Sequence, residues 1–226
     1  MAFGGNILLA AAGSSNLGGL NLVISSNTQD YNVLTAAIAI GYNNSEGEDV
    51  TITLTINQGV NVTSTSQFIP ALRTGALNAN TTLAITNNGN IEGHVGATAG
   101  GSGNGDAGGD GLYFETVTGG SATHSLINSS TGIISGGGGG GGGGGVLQSL
   151  VSDGDGGQVC DNPAYAGPAG AVGSVGQAGA NGTYGSGSTS CIVTTPGSGA
   201  GAGYALFRNG RTIAVTQNGT MNGIWT

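Results

Sequence analysis

Lysine is missing altogether, and the three arginines, Arg73, Arg208 and Arg211, stand against 11 acidic residues, leaving a net charge of -8. Such a chain cannot neutralise a run of phosphates, which argues against nucleic acid as a partner and, for the same reason, against anionic membrane surfaces. No stretch reaches the roughly 20 apolar residues of a membrane helix, so no membrane insertion is expected. The opening "MAFGGNILLAAAGSS" has a short apolar run with no basic residue before it and so lacks the pattern of a secretory signal. Four prolines in 226 residues are too few for an ordinary collagen. Two cysteines, Cys160 and Cys191, allow a single bridge. Glycine and serine surround both, where an exposed free thiol is a liability, and this favours a Cys160–Cys191 disulfide over two separate thiols.

What the chain has in abundance is glycine. It supplies 50 residues, ten of them consecutive in "IISGGGGGGGGGGV" at 133–146. Glycine loses more conformational entropy on folding than any other residue and offers a core no side chain. A run of ten is therefore either a flexible tether or a backbone put to a use that side chains would prevent. An apolar fraction of 37% argues against a wholly disordered polar chain.

Internal repeats give the first structural signal. "LAITNNGNIEG" at 83–93 and "IAVTQNGTMNG" at 213–223 align without a gap, "LINSSTGIISG" at 126–136 ends the same way, and "LTINQGVNV" at 54–62 fits after a one-residue deletion. Each copy alternates apolar and polar residues, breaks at Asn-Gly or an equivalent turn, and places another apolar residue two positions later. The pattern predicts a strand, a tight turn and a second short strand, stacked as coils of a small solenoid or sheet. Between the repeats, small residues recur every third position. Gly93, Gly96, Ala99, Ser102, Gly105, Gly108 and Gly111 form one series, and "GPAGAVGSVGQAGANGTYG" at 167–185 keeps glycine at every third position. Period three is the signature of a polyproline II type helix, with three residues per turn and a rise of about 3.1 Å. A glycine edge lets neighbouring backbones approach closely enough to hydrogen-bond, and an all-glycine helix can be approached from every side. The ten-glycine run, about 31 Å long at that rise, is then expected at the centre of a bundle.

The N-terminal part differs in composition. "DYNVLTAAIAIGYN" at 30–43 puts Val33, Leu34, Ala37, Ile38 and Tyr42 at helical spacing, with Asn27, Thr28 or Asp30 as the cap, and "NLVISSN" and "DVTITLTI" on either side predict strands. The expected fold class is mainly β, with an N-terminal β-rich module carrying one short helix, stacked strand-turn repeats and a polyglycine II helix bundle. The corresponding segments are 1–65, 66–135 with the first glycine-rich stretch, 136–203 for the bundle and its tip loops, and 204–226 as a C-terminal strand repeat.

The succession "GVNVTSTSQFIPALRTG", "TTLAITNNGNIEG" and "STGIISGGGGGGGGGG" resembles the glycine-rich tail-tip and tail-fibre adhesins of tailed bacteriophages. The resemblance covers roughly residues 50–226. It implies a virion protein, assembled in the host cytoplasm and released at lysis. Its N-terminal region would join other tail or fibre proteins, and loops on a polyglycine II scaffold would bind a host outer-surface receptor, a protein or a glycan. A purely structural tail component, with the bundle as a rigid spacer, is the alternative. Monomer and trimer both remain open.

Specificity cannot reside in inward glycine edges, so it is expected in the segments that interrupt them, 146–166 and 186–196. These carry Leu147, Leu150, Tyr165 and Ile192, and Tyr184 stands nearby. A Cys160–Cys191 bridge would preorganise both segments. Capping the end of the bundle is the competing role for the same apolar residues. Catalytic signals are poor. His94 and His124 are assigned to surface or turn positions, no nucleophile elbow occurs, and the carboxylate pairs Asp106/Asp110 and Asp153/Asp155 lie among glycines that offer nothing to shift a pKa or hold a sugar. The acidic stretches "GGSGNGDAGGDG" and "SDGDGG" lack the spacing of calcium loops. No enzyme activity, metal or cofactor is expected.

Overall fold

In Thr51–Ile56 every second residue is buried, and Leu20–Ile24 and Thr82–Asn87 repeat that alternation. Strands of this kind cover a core on one face only. The computed structural model describes residues 19–44, 49–115, 123–152, 158–166, 169–171, 173–174, 176–183 and 190–226, with the side chains of 146–152, 158–166 and 190–194 outside that description. Contacts divide the described chain into two compact units, one holding residues up to 94 with 109–136 and 204–226, the other holding 95–108 and 137–203.

The first unit winds as a succession of coils. The opening coil contributes β1 (Leu20–Ile24), β2 (Thr28–Gln29) and β3 (Tyr31–Asn32), followed by helix α1 (Val33–Ala39). The next has β4 (Thr51–Ile56), β5 (Asn61–Thr63) and β6 (Leu72–Arg73), and the third β7 (Thr82–Asn87), β8 (Asn90–Glu92) and β9 (Leu112–Tyr113). The fourth begins with β10 (His124–Asn128) and β11 (Ile133–Ser135). Its chain then passes through the second unit, with β12 (Val146–Ser152), β13 (Gln158–Ala166) and β14 (Ser190–Thr194), and returns as β15 (Tyr204–Phe207). The last has β16 (Ile213–Gln217), β17 (Thr220–Asn222) and β18 (Ile224–Trp225). Equivalent strands pair in parallel into three 5-stranded sheets, ordered β1-β4-β7-β10-β16, β17-β11-β8-β5-β2 and β18-β15-β9-β6-β3. This is a three-faced parallel β-solenoid.

Register explains the repeats. On the first face Leu22, Leu54, Ile85, Leu126 and Val215 share one inward row, and Leu20, Ile52, Leu83, His124 and Ile213 another. The two gapless copies fall in register because Leu83 and Ile213 flank the same residue, His124. The third inward row reads Ile24, Ile56, Asn87, Asn128, Gln217. Buried Asn87 donates from Nδ2 to Asn128 Oδ1 at 2.9 Å and to the Ile133 carbonyl at 3.1 Å, and Asn128 donates to the Thr220 carbonyl at 3.0 Å. A side-chain ladder thus serves Asn87 and Asn128, while at the end of the row Gln217 Oε1 is buried without a hydrogen-bond partner among the described residues. The turn glycines are required by close approach, since a Cβ on Gly132 or Gly219 would overlap the backbone of the adjoining coil.

Two local expectations change. Helix α1 is capped by Asn32, whose Oδ1 accepts from the Thr35 N–H at 3.1 Å, rather than by Asn27, Thr28 or Asp30, because β2 and β3 occupy the intervening residues. His124 is not a surface or turn residue but lies 3% exposed in an inward row. Its Nδ1 accepts from the Leu83 N–H at 3.2 Å and its Nε2 lies 2.5 Å from Arg211 Nη1. Burial first, and then the Arg211 charge, hold its pKa down at about 4.

Outside β12–β14, the described backbone of the second unit forms neither helix nor sheet and hydrogen-bonds in steps of three. In the glycine run, the N–H groups of Gly139, Gly142 and Gly145 donate to the carbonyls of Gln177, Ala180 and Thr183, and those of Gly140 and Gly143 donate to Asp106 and Gly103. The Gly138 and Gly141 carbonyls accept from Gly96 and Ala99, those of Gly139 and Gly142 from Gly173 and Gly170, and those of Gly137, Gly140 and Gly143 from Gly203, Ala200 and Gly197. One run therefore serves five neighbouring stretches of chain, and residues 137–145 are all buried. Side chains are excluded by distance: a Cβ on any of Gly138 to Gly143 would overlap a neighbouring carbonyl. The sequence segments bounded at 65, 135 and 203 follow composition, whereas the compact units follow the coils, so that 204–226 completes the solenoid.

Gly141→Ala is expected to destabilise the second unit by about 1–3 kcal/mol, the usual cost of overpacking, and to raise amide exchange along 137–145. Gly201→Ala, which has open space around its Cβ position, is expected to stay within about 0.5 kcal/mol of the parent. The depressed His124 pKa means that the unfolded chain takes up a proton the folded one refuses. Its stabilising contribution is thus complete above about pH 6.5, declines as the pH falls toward 4, and is level below that. Urea midpoints between pH 7 and 4 should show a decline that shrinks in His124→Leu.

Candidate receptor-binding region

The segments expected as tip loops contain a three-stranded antiparallel sheet, ordered β13-β12-β14. The longest uninterrupted glycine stretch ends at Gly145, and the chain turns directly into β12, where Val146–Ser152 restores β-branched and apolar residues. Register brings three of the predicted site residues onto one row: Leu147 pairs with Tyr165 on one side and with Ile192 on the other. Bulges on both sides of Leu147 interrupt the ladders next to that row. Leu150 pairs with Cys160, two rungs further along, and Gln148 pairs with Cys191. The cysteines therefore stand on the two outer strands with β12 between them, and the ladder does not make them neighbours. A disulfide spans only about 4.4–6.8 Å between Cα atoms, so the register by itself supplies no bridge. Tyr184 and the pair Asp153/Asp155 lie outside the described residues.

Of the other polar candidates, Asp106 belongs to the glycine-rich unit, where its carbonyl accepts from Gly140, and Asp110 belongs to the solenoid. His94 is half-buried, with its Nδ1 lacking a hydrogen-bond partner among the described residues. Among the described residues no group of three or more His, Cys, Asp or Glu side chains could hold a metal ion, and no helix is long and apolar enough to cross a membrane.

The solenoid carries a second feature that the sequence reading missed. On the third face, Leu72, Leu112 and Leu206 form a buried row, while the adjoining row of Arg73, Tyr113 and Phe207 is half-buried and turned outward. Tyr113 and Phe207 stack at 5.3 Å between ring centroids, and Tyr204 tilts onto Phe207 at 5.0 Å. Beside this row lies a cleft of about 470 Å³. Gln67, Phe68, Arg73, Asp110, Tyr113 and Glu115 contribute to its lining. Burial raises the Asp110 pKa above the usual carboxylate value, against a lowering contribution from the Tyr204 N–H, which Asp110 Oδ1 accepts at 2.9 Å. The only sequence signal for this cleft would have been Phe68 and Arg73 close together in a stretch otherwise free of aromatic and basic residues.

No curated protein matches the sequence. Among solved structures, a chain described as belonging to the gp37-gp38 adhesin tip complex of the bacteriophage S16 long tail fibre is similar. The identity is 19%, the match covers 94% of this chain and 83% of that one, and the TM-score is 0.47. A family model described as phage tail fibre adhesin Gp38 matches residues 19–226. The chain belongs to the Gp38 family of phage tail fibre adhesins.

Proposed function

We propose that the chain binds a host outer-surface receptor through the β12–β14 sheet and its connections, held on a scaffold of polyglycine II helices. The observation that carries this reading is the three-residue period of the hydrogen bonds made by the buried run 137–145. A helix of three residues per turn directs successive residues about 120° apart, and the bonds of the run fall on different neighbours in that order. A scaffold built from backbone alone has little side-chain chemistry to offer a partner. The sequence that interrupts it is where discrimination must lie, and the row Leu147, Tyr165 and Ile192 concentrates apolar and aromatic residues there. Aromatic anchors dominate the energetics of many interfaces.

Membership of a tail fibre adhesin family supports attachment to another fibre protein, and the N-terminal region of the solenoid is the part assigned to it. The virion tail is the corresponding location. The reading is non-enzymatic, and a spacer role without receptor contact is its rival.

Purified protein is expected to adsorb to susceptible cells and not to receptor-deficient resistant mutants. Tyr165→Ala and Leu147→Asp should each weaken adsorption about tenfold or more, the size of an interface hot spot, with unchanged thermal melting. Equal adsorption by parent and both variants, or none by the parent, would favour the spacer.

A further inference from the structure

The cleft on the third face of the solenoid has the chemistry of a sugar site. Phe68 is 85% exposed, an unusual position for a large apolar ring. It does not sit on a loose loop. The Phe68 N–H donates to Ser66 Oγ at 3.3 Å, the Ile69 N–H to the Ser66 carbonyl at 3.1 Å, the Ser66 N–H to Ser64 Oγ at 3.1 Å, and the Thr65 N–H to Asp30 Oδ1 at 2.9 Å. Gly109 lets Gln67 approach so closely that an added Cβ would stand 3.0 Å from the Gln67 Cα. The ring is therefore held out in water by a loop already ordered, which removes part of the entropic cost of binding.

Opposite chemistry converges on the same space. Arg73 lines the cleft and brings it a positive charge and a fork of donors, and its buried Nε has no hydrogen-bond partner among the described residues. Tyr113 OH accepts from Asn209 Nδ2 at 3.2 Å, leaving its own proton to donate. Asp110 has one oxygen engaged by the Tyr204 N–H, and Glu115 adds further acceptor capacity. An anion would meet two carboxylates, and a cation would meet Arg73. A neutral ligand whose groups both donate and accept suits all of them at once. The vicinal hydroxyls of a pyranose do this, bridging a carboxylate and a guanidinium, while the ring's C–H face packs on an aromatic side chain. The volume lies within the range of about 300–1,000 Å³ typical of small-ligand clefts.

We propose that this cleft binds a neutral hexopyranose unit of a glycan, with Phe68 as the stacking platform and Arg73, Asp110, Tyr113 and Glu115 as hydroxyl partners. The site needs no residue of β12–β14 and stands apart from the receptor reading above.

The test is saturation-transfer NMR on the full chain with D-glucose, D-galactose, D-mannose and maltose, followed by titration of whichever responds. Saturable transfer from at least one sugar is expected in the millimolar range. Phe68→Ala, which removes an exposed ring, should weaken it at least tenfold without altering the melting temperature, and Arg73→Gln should weaken it similarly. Tyr165→Ala should leave it unchanged, which separates this outcome from the fate of the receptor reading. The proposal is overturned by no transfer from any of the four sugars, as expected if a protein partner fills the cleft, or by transfer that persists undiminished in Phe68→Ala.

Discussion

Backbone hydrogen bonding between neighbouring stretches of chain, made at a fixed repeat, is the constraint on which both units depend. In the solenoid each strand pairs in parallel with its equivalents in the adjacent coils, so every coil must return to the same height and present a residue of suitable size at each rung. In the glycine-rich unit the same need is met at its buried run without side chains, because the partners of Gly138 to Gly143 approach too closely for a Cβ there. The two units solve one problem, the pairing of every buried N–H and C=O, by opposite means. One fills its interior with Leu, Ile and Val, and the other fills its interior with backbone.

The requirement also shapes the polar interior. Asn87 and Asn128 sit where a smooth aliphatic row would otherwise continue from Ile24 and Ile56, and they remain buried because each donates to the next coil. His124 lies in another inward row of the same face, with the Leu126 row between it and the asparagines, and is kept neutral by its surroundings. In chain order the glycine-rich unit is entered twice, once between β8 and β9 and once between β11 and β15. A solenoid tolerates such insertions because each coil needs only its strands in register, whatever length of chain lies between them.

Much of the secondary structure was legible in the sequence. The alternation in "DVTITLTI" marked β4, the Asn-Gly turns marked the boundary between first and second faces, and the gapless match of 83–93 to 213–223 reflected rungs that share His124. Period three in the glycine-rich stretches anticipated bonds in steps of three. Less legible were features set by distant partners. The helix cap moved to Asn32 because short strands took the residues expected to cap it. His124 looked like an isolated polar residue, since nothing nearby in sequence announces that Leu83 and Arg211 enclose it. The segments around Leu147 and Tyr165 looked like loops, their glycine and proline content obscuring an antiparallel sheet.

The sequence by itself determined the period of each element, and with it the fold class, because a repeat of two or three residues fixes which positions can face a neighbour. It also determined where side chains are absent, and hence which stretches can pack backbone against backbone. Only the tertiary structure decided which stretches become neighbours. It joined 204–226 to coils begun near residue 20, aligned Leu147 with Tyr165 and Ile192, and gathered Phe68, Arg73 and Tyr113 around one cleft. Those juxtapositions depend on the register between segments far apart in the chain, which local patterns leave undetermined and the packing of whole coils fixes.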